Sequence, residues 1–169
     1  MDAVMDEEDL IARQAGIVPA GPVSAALEGR ADILEMTRKA AEASLRPAEP
    51  GGISHAERAA IAVRIARLNG DDALAAHYAA MMERADVSGS AAILADPGLD
   101  GAGDARLTAL TGYIDLVSVA PKNTVAGDIE TLKAAGIGDA DIVRLAELTA
   151  FLAYQVRVIA GLKLMQVTA

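Results

Sequence analysis

The long apolar segment from Asp139 to Leu164 is the feature that most constrains what this chain can fold into. Its apolar residues lie on almost every side of a helical projection, which is typical of a helix buried on several faces. Glu147, Gln155 and Arg157 interrupt the segment, so it lacks the run of about 18 apolar residues that a membrane span needs. The segment therefore predicts a long, buried C-terminal helix and no membrane partner.

Helical signals recur through the rest of the chain, and no stretch alternates apolar and polar residues as a half-buried strand does. Ser54 and Glu57 form a capping box. Residues 86–103 are rich in Gly, Ser, Asp and Pro and predict a loop with one helical turn around 91–94. The predicted helices cover, in chain order, residues 6–14, residues 31–45, a run from Ser54 through Ile61, Ile65 and Leu68, a run from Asp71 through Leu74, Tyr78, Met81 and Met82, a run through Leu107, Leu110, Ile114 and Val117, a short helix with Ile129 and Leu132, and residues 139–164.

The cluster of Pro47 and Pro50-Gly51-Gly52 is the clearest internal boundary. It divides the chain into an N-terminal helical extension, residues 1–50, and a helical domain, residues 51–169. Hydrophobic residues make up 53% of the chain but aromatic residues only 2%, so aliphatic side chains must fill the interior. That composition favours helix–helix packing over a sandwich or barrel. We predict one all-α fold of about six helices, with the C-terminal helix at its centre.

Charge and cysteine content exclude several classes of function. The formal net charge is -9, and 15 Lys and Arg residues are scattered among 24 acidic ones. Phosphate backbones are bound by clustered cations, so we expect no nucleic-acid partner. The chain has no cysteine, which excludes disulfides, iron–sulfur clusters, thiolate zinc sites and cysteine nucleophiles. Its acidic start, Met1 to Leu10, does not resemble a secretory signal, so we expect a cytoplasmic protein.

The sequence predicts neither a cofactor nor a metal site. A glycine-rich phosphate loop is not found in the sequence, and neither is a nucleophile elbow. Asp71 and Asp72 are adjacent acids at the start of a predicted helix. We interpret them as partners of the helix dipole rather than as metal ligands, because no histidine–carboxylate cluster surrounds them in the sequence.

His77 and Tyr78 are the first candidates for a functional site. His77 lies at the margin of the apolar stripe of its helix, where an imidazole could point into a helix-lined pocket and transfer protons near neutral pH. The alternative is a partly buried histidine bonded to a nearby carbonyl. Tyr78 belongs to the stripe by its spacing, which favours core packing, although its hydroxyl could reach a ligand.

Glu147 and Arg157 are further pocket or ligand candidates, because they interrupt the apolar C-terminal segment. They lie about 15 Å apart along a helix and cannot pair with each other. A buried charge without a partner is costly, so each needs a partner on another helix or subunit. Arg157 could hold a carboxylate ligand. The alternative that we favour is a structural ion pair, which an oligomer interface could provide.

Two blocks of sequence, which together cover most of residues 53–165, carry a resemblance to a known family. Their segments are Ile53-Ser54-His55-Ala56-Glu57-Arg58, Ala66-Arg67-Leu68-Asn69-Gly70, Ala75-Ala76-His77-Tyr78, Tyr113-Ile114-Asp115-Leu116-Val117, Leu132-Lys133-Ala134-Ala135-Gly136, Asp139-Ala140-Asp141-Ile142 and Tyr154-Gln155-Val156-Arg157. In their order and spacing they resemble the alkylhydroperoxidase D-like (AhpD-like) superfamily, which includes the carboxymuconolactone decarboxylase (CMD) domain, and especially its cysteine-free, peroxidase-related members that accompany a second, related protein. The resemblance implies an AhpD-like helical bundle that forms a homo-oligomer, most simply a dimer, with a related AhpD-like protein as a further partner.

The resemblance also implies that the thiol peroxidase reaction of the superfamily is lost. Peroxidase members carry Cys-x-x-Cys after an Asn-Gly such as Asn69-Gly70, with a glutamate upstream and a histidine one turn downstream that relay protons to the thiols. The two cysteine positions fall on Asp71 and Leu74, and the glutamate position falls on Ala59. The histidine position falls on Tyr78, so His77 is displaced by about 100° around the helix.

Two hypotheses about function follow from the resemblance. The first is a non-catalytic protein, which serves as a scaffold, a ligand-binding protein or a partner subunit. The second is a cysteine-independent acid–base enzyme of the carboxymuconolactone decarboxylase type, with His77 as the base and Arg157 holding a small carboxylate. The second hypothesis predicts that His77, Tyr78 or Arg157 line one polar cavity.

Overall fold

The regular structure of the chain is entirely helical in residues 10–85 and 89–168, which are the residues that the computed structural model describes. The prediction of an all-α fold with a long C-terminal helix is therefore confirmed. One 3₁₀ turn at Pro121–Asn123 accompanies the α-helices. These helices are, in chain order, α1 (Leu10–Ala15), α2 (Pro22–Glu28), α3 (Ala31–Leu45), α4 (His55–Leu68), α5 (Asp72–Arg84), α6 (Gly89–Ala95), α7 (Ala105–Val119), α8 (Ala126–Ala134) and α9 (Asp139–Thr168).

Helix α4 is the most deeply enclosed helix. It begins at the predicted capping box, in which the Ser54 hydroxyl accepts from the Glu57 amide at 3.2 Å and Glu57 Oε2 accepts from the Ser54 amide at 3.0 Å. Every residue from 56 to 66 is buried, because α3, α5, α6, α7 and α9 pack around this helix. We predicted α9 at the centre of the bundle. The structure differs, because α9 buries one side and leaves the other side exposed.

Two stretches differ from their predicted conformation. Helix α2 lies between the predicted helices 6–14 and 31–45, where none is predicted. Pro22 occupies its first turn, where its fixed φ suits the helix and its missing N–H is not needed. Helix α6 is longer than the single predicted turn and buries Ala91 and Leu94. The other predicted helices are present, and α3 has the predicted bounds. Residues 6–9 of the first predicted helix and residues 86–88 of the predicted loop lie outside the described residues.

The residues before the Pro/Gly cluster share the core of the rest of the chain. Ile11, Val23 and Leu45 belong to the same buried apolar cluster as α4 and α9. The Gln166 side chain near the end of α9 donates to the carbonyls of Ala15 at 2.8 Å and Gly16 at 2.9 Å. The two ends of the described chain are therefore held side by side.

Within the described residues, α9 is the one helix whose length and composition would allow it to cross a membrane. Half of the residues in its most apolar window are buried inside the fold. The core helix of a helical bundle passes the same test.

Two arginines of α4 are buried almost completely and fix the loops on either side of the bundle. Arg58 is 2% exposed and donates to the carbonyls of Ser44, Pro50 and Ile53, at 2.8, 2.9 and 3.0 Å. It thereby holds the connection between α3 and α4.

Arg64 is 1% exposed and holds the connection between α6 and α7. It forms a bidentate pair with Asp115, with Nε–Oδ1 and Nη2–Oδ2 distances of 2.5 and 2.7 Å. It also donates to the carbonyls of Asp96 at 2.7 Å and Leu99 at 3.1 Å.

Candidate functional site

A cavity of about 460 Å³ lies among α1, α3, α5 and α9 and contains both residues of the predicted His77-Tyr78 pair. Its size is within the range of small-molecule sites. The lining combines apolar walls with a polar set that is unusually rich in guanidinium groups. The apolar lining residues are Leu10, Ile11, Leu34, Ala41, Leu45 and Met81, and the polar ones are Arg13, Thr37, Arg38, Glu42, Arg46, His77, Tyr78, Arg84 and Gln155.

The charges around the cavity are predominantly positive. Among the residues that the structure describes, four arginines and the carboxylate of Glu42 line it, in a chain whose formal net charge is -9. Arg46 is paired with Glu42 at 2.6 Å, and Arg38 is paired with Glu35. Arg13 and Arg84 lie on the side of the cavity that holds His77, and the positive charge of both acts on its imidazole. Positive charge concentrated in a partly apolar cleft attracts anions.

His77 is half-buried on α5 and is held in its neutral form by its surroundings. Burial lowers the pKa of His77 below its ordinary value, and the charges of Arg13 and Arg84 lower it further. Arg13 Nη2 lies 3.3 Å from His77 Nδ1. A guanidinium can only donate, so Nδ1 accepts and the neutral ring carries its proton on Nε2. If the imidazole accepted a proton, its positive charge would lie beside the guanidinium groups of Arg13 and Arg84, and their repulsion opposes that protonation.

Tyr78 and Gln155 form the buried polar floor of the cavity. Tyr78 is fully buried, as the apolar stripe predicts, and burial raises the pKa of its hydroxyl above the ordinary value. The protonated hydroxyl donates to Gln155 Oε1 of α9. The rings of His77 and Tyr78 meet edge to face, with centroids 5.2 Å apart. This chain of contacts fixes the orientation of α5 relative to α9.

The structure does not bring Glu147 or Arg157 to this cavity. Both are exposed on the outer face of α9, whereas we predicted that they interrupt a buried helix. Arg157 Nη1 donates to the Ala153 carbonyl one turn earlier, at 2.8 Å. The difference arises because a helix that is apolar nearly all round gives no sign of which side faces solvent.

The arginines of the cavity and Gln155 were missed by reasoning from the sequence. Arg13 and Arg38 come from helices far from His77 along the chain, so no local spacing links them to it. A signal did exist on α3, where Thr37, Ala41 and Leu45 recur at intervals of four and form one face. That spacing indicates which side of α3 faces the interior, but it does not indicate which other helix packs against that side.

Asp71 has a structural role consistent with its predicted interpretation. Its Oδ1 accepts from the Leu74 amide at 3.0 Å and caps α5, and its Oδ2 is paired with Lys163 of α9 at 3.0 Å. Across residues 10–85 and 89–168, no group of three or more His, Asp or Glu side chains is arranged to hold a metal ion.

A second hollow, of about 580 Å³, lies between α7 and α8. Small side chains form most of its lining, and Tyr113 and Asp128 are its largest polar residues. None of the described residues that line it is a cation or a histidine, so the cavity at His77 is the better candidate for a site.

Comparison with protein-family models, with curated proteins and with solved structures found no match to this chain. The resemblance to the AhpD-like superfamily stays a prediction, and the chemistry of the cavity must be inferred from its own residues.

Proposed function

We propose that this chain binds a small organic carboxylate with an apolar body in the cavity at His77, and that it does so without thiol chemistry. The observation that carries the proposal is the excess of guanidinium groups around a cavity with apolar walls, in a chain that is acidic as a whole. A ligand-binding protein of this kind is one form of the non-catalytic hypothesis. The absence of cysteine from the sequence is compatible with it.

The geometry supports one orientation of such a ligand. Arg13 and Arg84 flank His77, so a carboxylate beside these three side chains would accept hydrogen bonds from guanidinium N–H groups and from the Nε2–H of the neutral imidazole. The apolar body would then extend along Leu34 and Leu45.

We expect Arg84→Gln to weaken the binding of octanoate by about 5- to 20-fold, which corresponds to about 1–2 kcal/mol for one partly solvated charge pair. Isothermal titration calorimetry on the full chain measures the dissociation constant. The matched control is Arg30→Gln, an exposed arginine that does not line the cavity, and it should leave the affinity unchanged. Neutral 1-octanol should bind more weakly than octanoate. Equal losses for both variants, or no binding of octanoate, would contradict the proposal.

A second candidate function is acid–base catalysis on a lactone carboxylate, with His77 as the base. The observation that favours it is the neutral imidazole, whose pKa is lowered by burial and by two neighbouring arginines within a cavity. Arg157 does not line the cavity, so the role of holding the carboxylate passes to Arg13 and Arg84.

If His77 is a base, the rate of decarboxylation of a γ-carboxy lactone should rise with pH through a midpoint below the ordinary pKa of histidine, because only the neutral ring accepts a proton. His77→Gln should abolish turnover. His55→Gln should not, because His55 lies outside the cavity and bonds to the Pro47 carbonyl at 2.9 Å. Binding of carboxylates without turnover would exclude catalysis and leave the binding proposal intact.

A further inference from the structure

The outer face of α9 is a continuous exposed strip along most of the helix. The residues of the strip are spaced alternately four and three positions apart in the sequence, and this spacing keeps them on one side of an α-helix. Val143 is 57% exposed, Tyr154 41% and Leu164 66%, so large apolar side chains lie in solvent. Because these side chains share one face of the helix, a second helix that packs on this face would remove all three from solvent. The strip consists of Val143, Glu147, Ala150, Tyr154, Arg157 and Gly161, followed by Leu164.

The strip is complementary to itself in the antiparallel direction. Glu147 lies five residues before position 152 and Arg157 five residues after it, or about 7.5 Å on either side along the axis. Two α9 helices that cross antiparallel at this level would bring Glu147 of each to the level of Arg157 of the other. The same operation brings Ala150 to the level of Tyr154, and Val143 to that of Gly161, so that small residues meet large ones.

We infer that a second copy of this chain packs on this strip, with the two α9 helices antiparallel about a twofold axis near position 152. Within the described residues neither Glu147 nor Arg157 forms an ion pair in its own chain, and the dimer supplies two reciprocal pairs. A twofold interface requires such self-complementarity. A parallel arrangement would instead place Glu147 beside Glu147 and Arg157 beside Arg157, which is repulsive.

Charge reversal tests the pairing. We expect a dimer by light scattering after size exclusion, and at least about a tenfold higher dissociation constant for Glu147→Arg or Arg157→Glu, because each creates two repulsive contacts. The double variant restores the opposite charges and should regain the dimer. Glu49→Arg, an exposed loop residue away from α9, is the matched control. Circular dichroism shows that each variant is folded.

Single cysteines test the direction, since the sequence has no other thiol. In the antiparallel dimer, position 150 of one chain is about 6 Å along the helix axis from position 150 of the other, whereas the two positions 164 are about 36 Å apart. The variants Ala150→Cys and Leu164→Cys place one thiol at each of these positions. A short bis-maleimide should therefore link the first variant and not the second. Linking of both variants would overturn the antiparallel arrangement. A monomeric wild-type chain, or a monomer that floats with phosphatidylcholine vesicles, would overturn the dimer.

Discussion

Replacing Arg58 with methionine should lower the free energy of unfolding by about 3–5 kcal/mol, because three hydrogen bonds to a charged group are lost. The guanidinium donates three hydrogen bonds to backbone carbonyls while only 2% of the residue is exposed. Methionine fills similar space but leaves the carbonyls of Ser44, Pro50 and Ile53 without these donors. A hydrogen bond to a charged group contributes about 1.5–3 kcal/mol, and partial rehydration of the loop carbonyls keeps the loss below the sum of three such bonds. Urea denaturation followed by circular dichroism measures the loss.

A lysine at position 58 separates charge from geometry. Its single ammonium cannot reach three carbonyls that surround a planar guanidinium, so Arg58→Lys should recover only part of the stability. Arg30→Met, on the exposed surface, should change the free energy of unfolding by less than about 0.5 kcal/mol. A loss below about 1 kcal/mol for Arg58→Met would show that the loop between α3 and α4 does not depend on this side chain.

Replacing Arg64 with methionine should cost about 3–4 kcal/mol, for a different reason. Arg64 carries the bidentate pair with Asp115 and two carbonyl contacts in the loop after α6. Without it, the Asp115 carboxylate loses its counter-charge. The Asp115 side chain is 36% exposed, so water can compensate in part, which places the expected loss towards the lower end of the range for broken buried pairs.

Asp115→Asn provides the second arm of a double-mutant cycle with Arg64→Met. If the pair acts as a unit, the double variant should be less destabilised than the sum of the single variants. Arg67→Met is the matched control, because Arg67 is exposed and donates to the single carbonyl of Ala95 at 2.9 Å. Equal losses for Arg64→Met and Arg67→Met would contradict the predicted role of the ion pair.

The helices could be predicted from the sequence because their signals are local. The capping box at Ser54 and Glu57 and the Pro/Gly residues after Leu45 are contained within a few neighbouring residues. The two buried arginines could not be predicted in this way. Arg58 and Arg64 are charged residues in core positions, and their partners lie in loops whose course depends on the tertiary fold.

The candidate site could be predicted only in part, for the same reason. His77 and Tyr78 are neighbours on α5, and their spacing indicated a pocket. The guanidinium groups that give the cavity its charge come from α1, α3 and the far end of α5, and Gln155 comes from α9. Glu147 and Arg157 are candidates by sequence because few charged residues occur in the apolar C-terminal segment. A helix face that packs against a second copy of the chain is expected to carry equally few charges.

Tyr154 lies on the outer strip of α9, and its hydroxyl is 3.0 Å from the Thr37 hydroxyl, which lines the cavity. This one hydrogen bond joins the surface of association to the wall of the binding site. If both proposals hold, the two equilibria are thermodynamically linked, and any effect of association on ligand affinity must be matched by an equal effect of the ligand on association. A carboxylate affinity that changes on dilution of the protein would reveal this coupling, and it would do so without any contact between the ligand and the neighbouring chain.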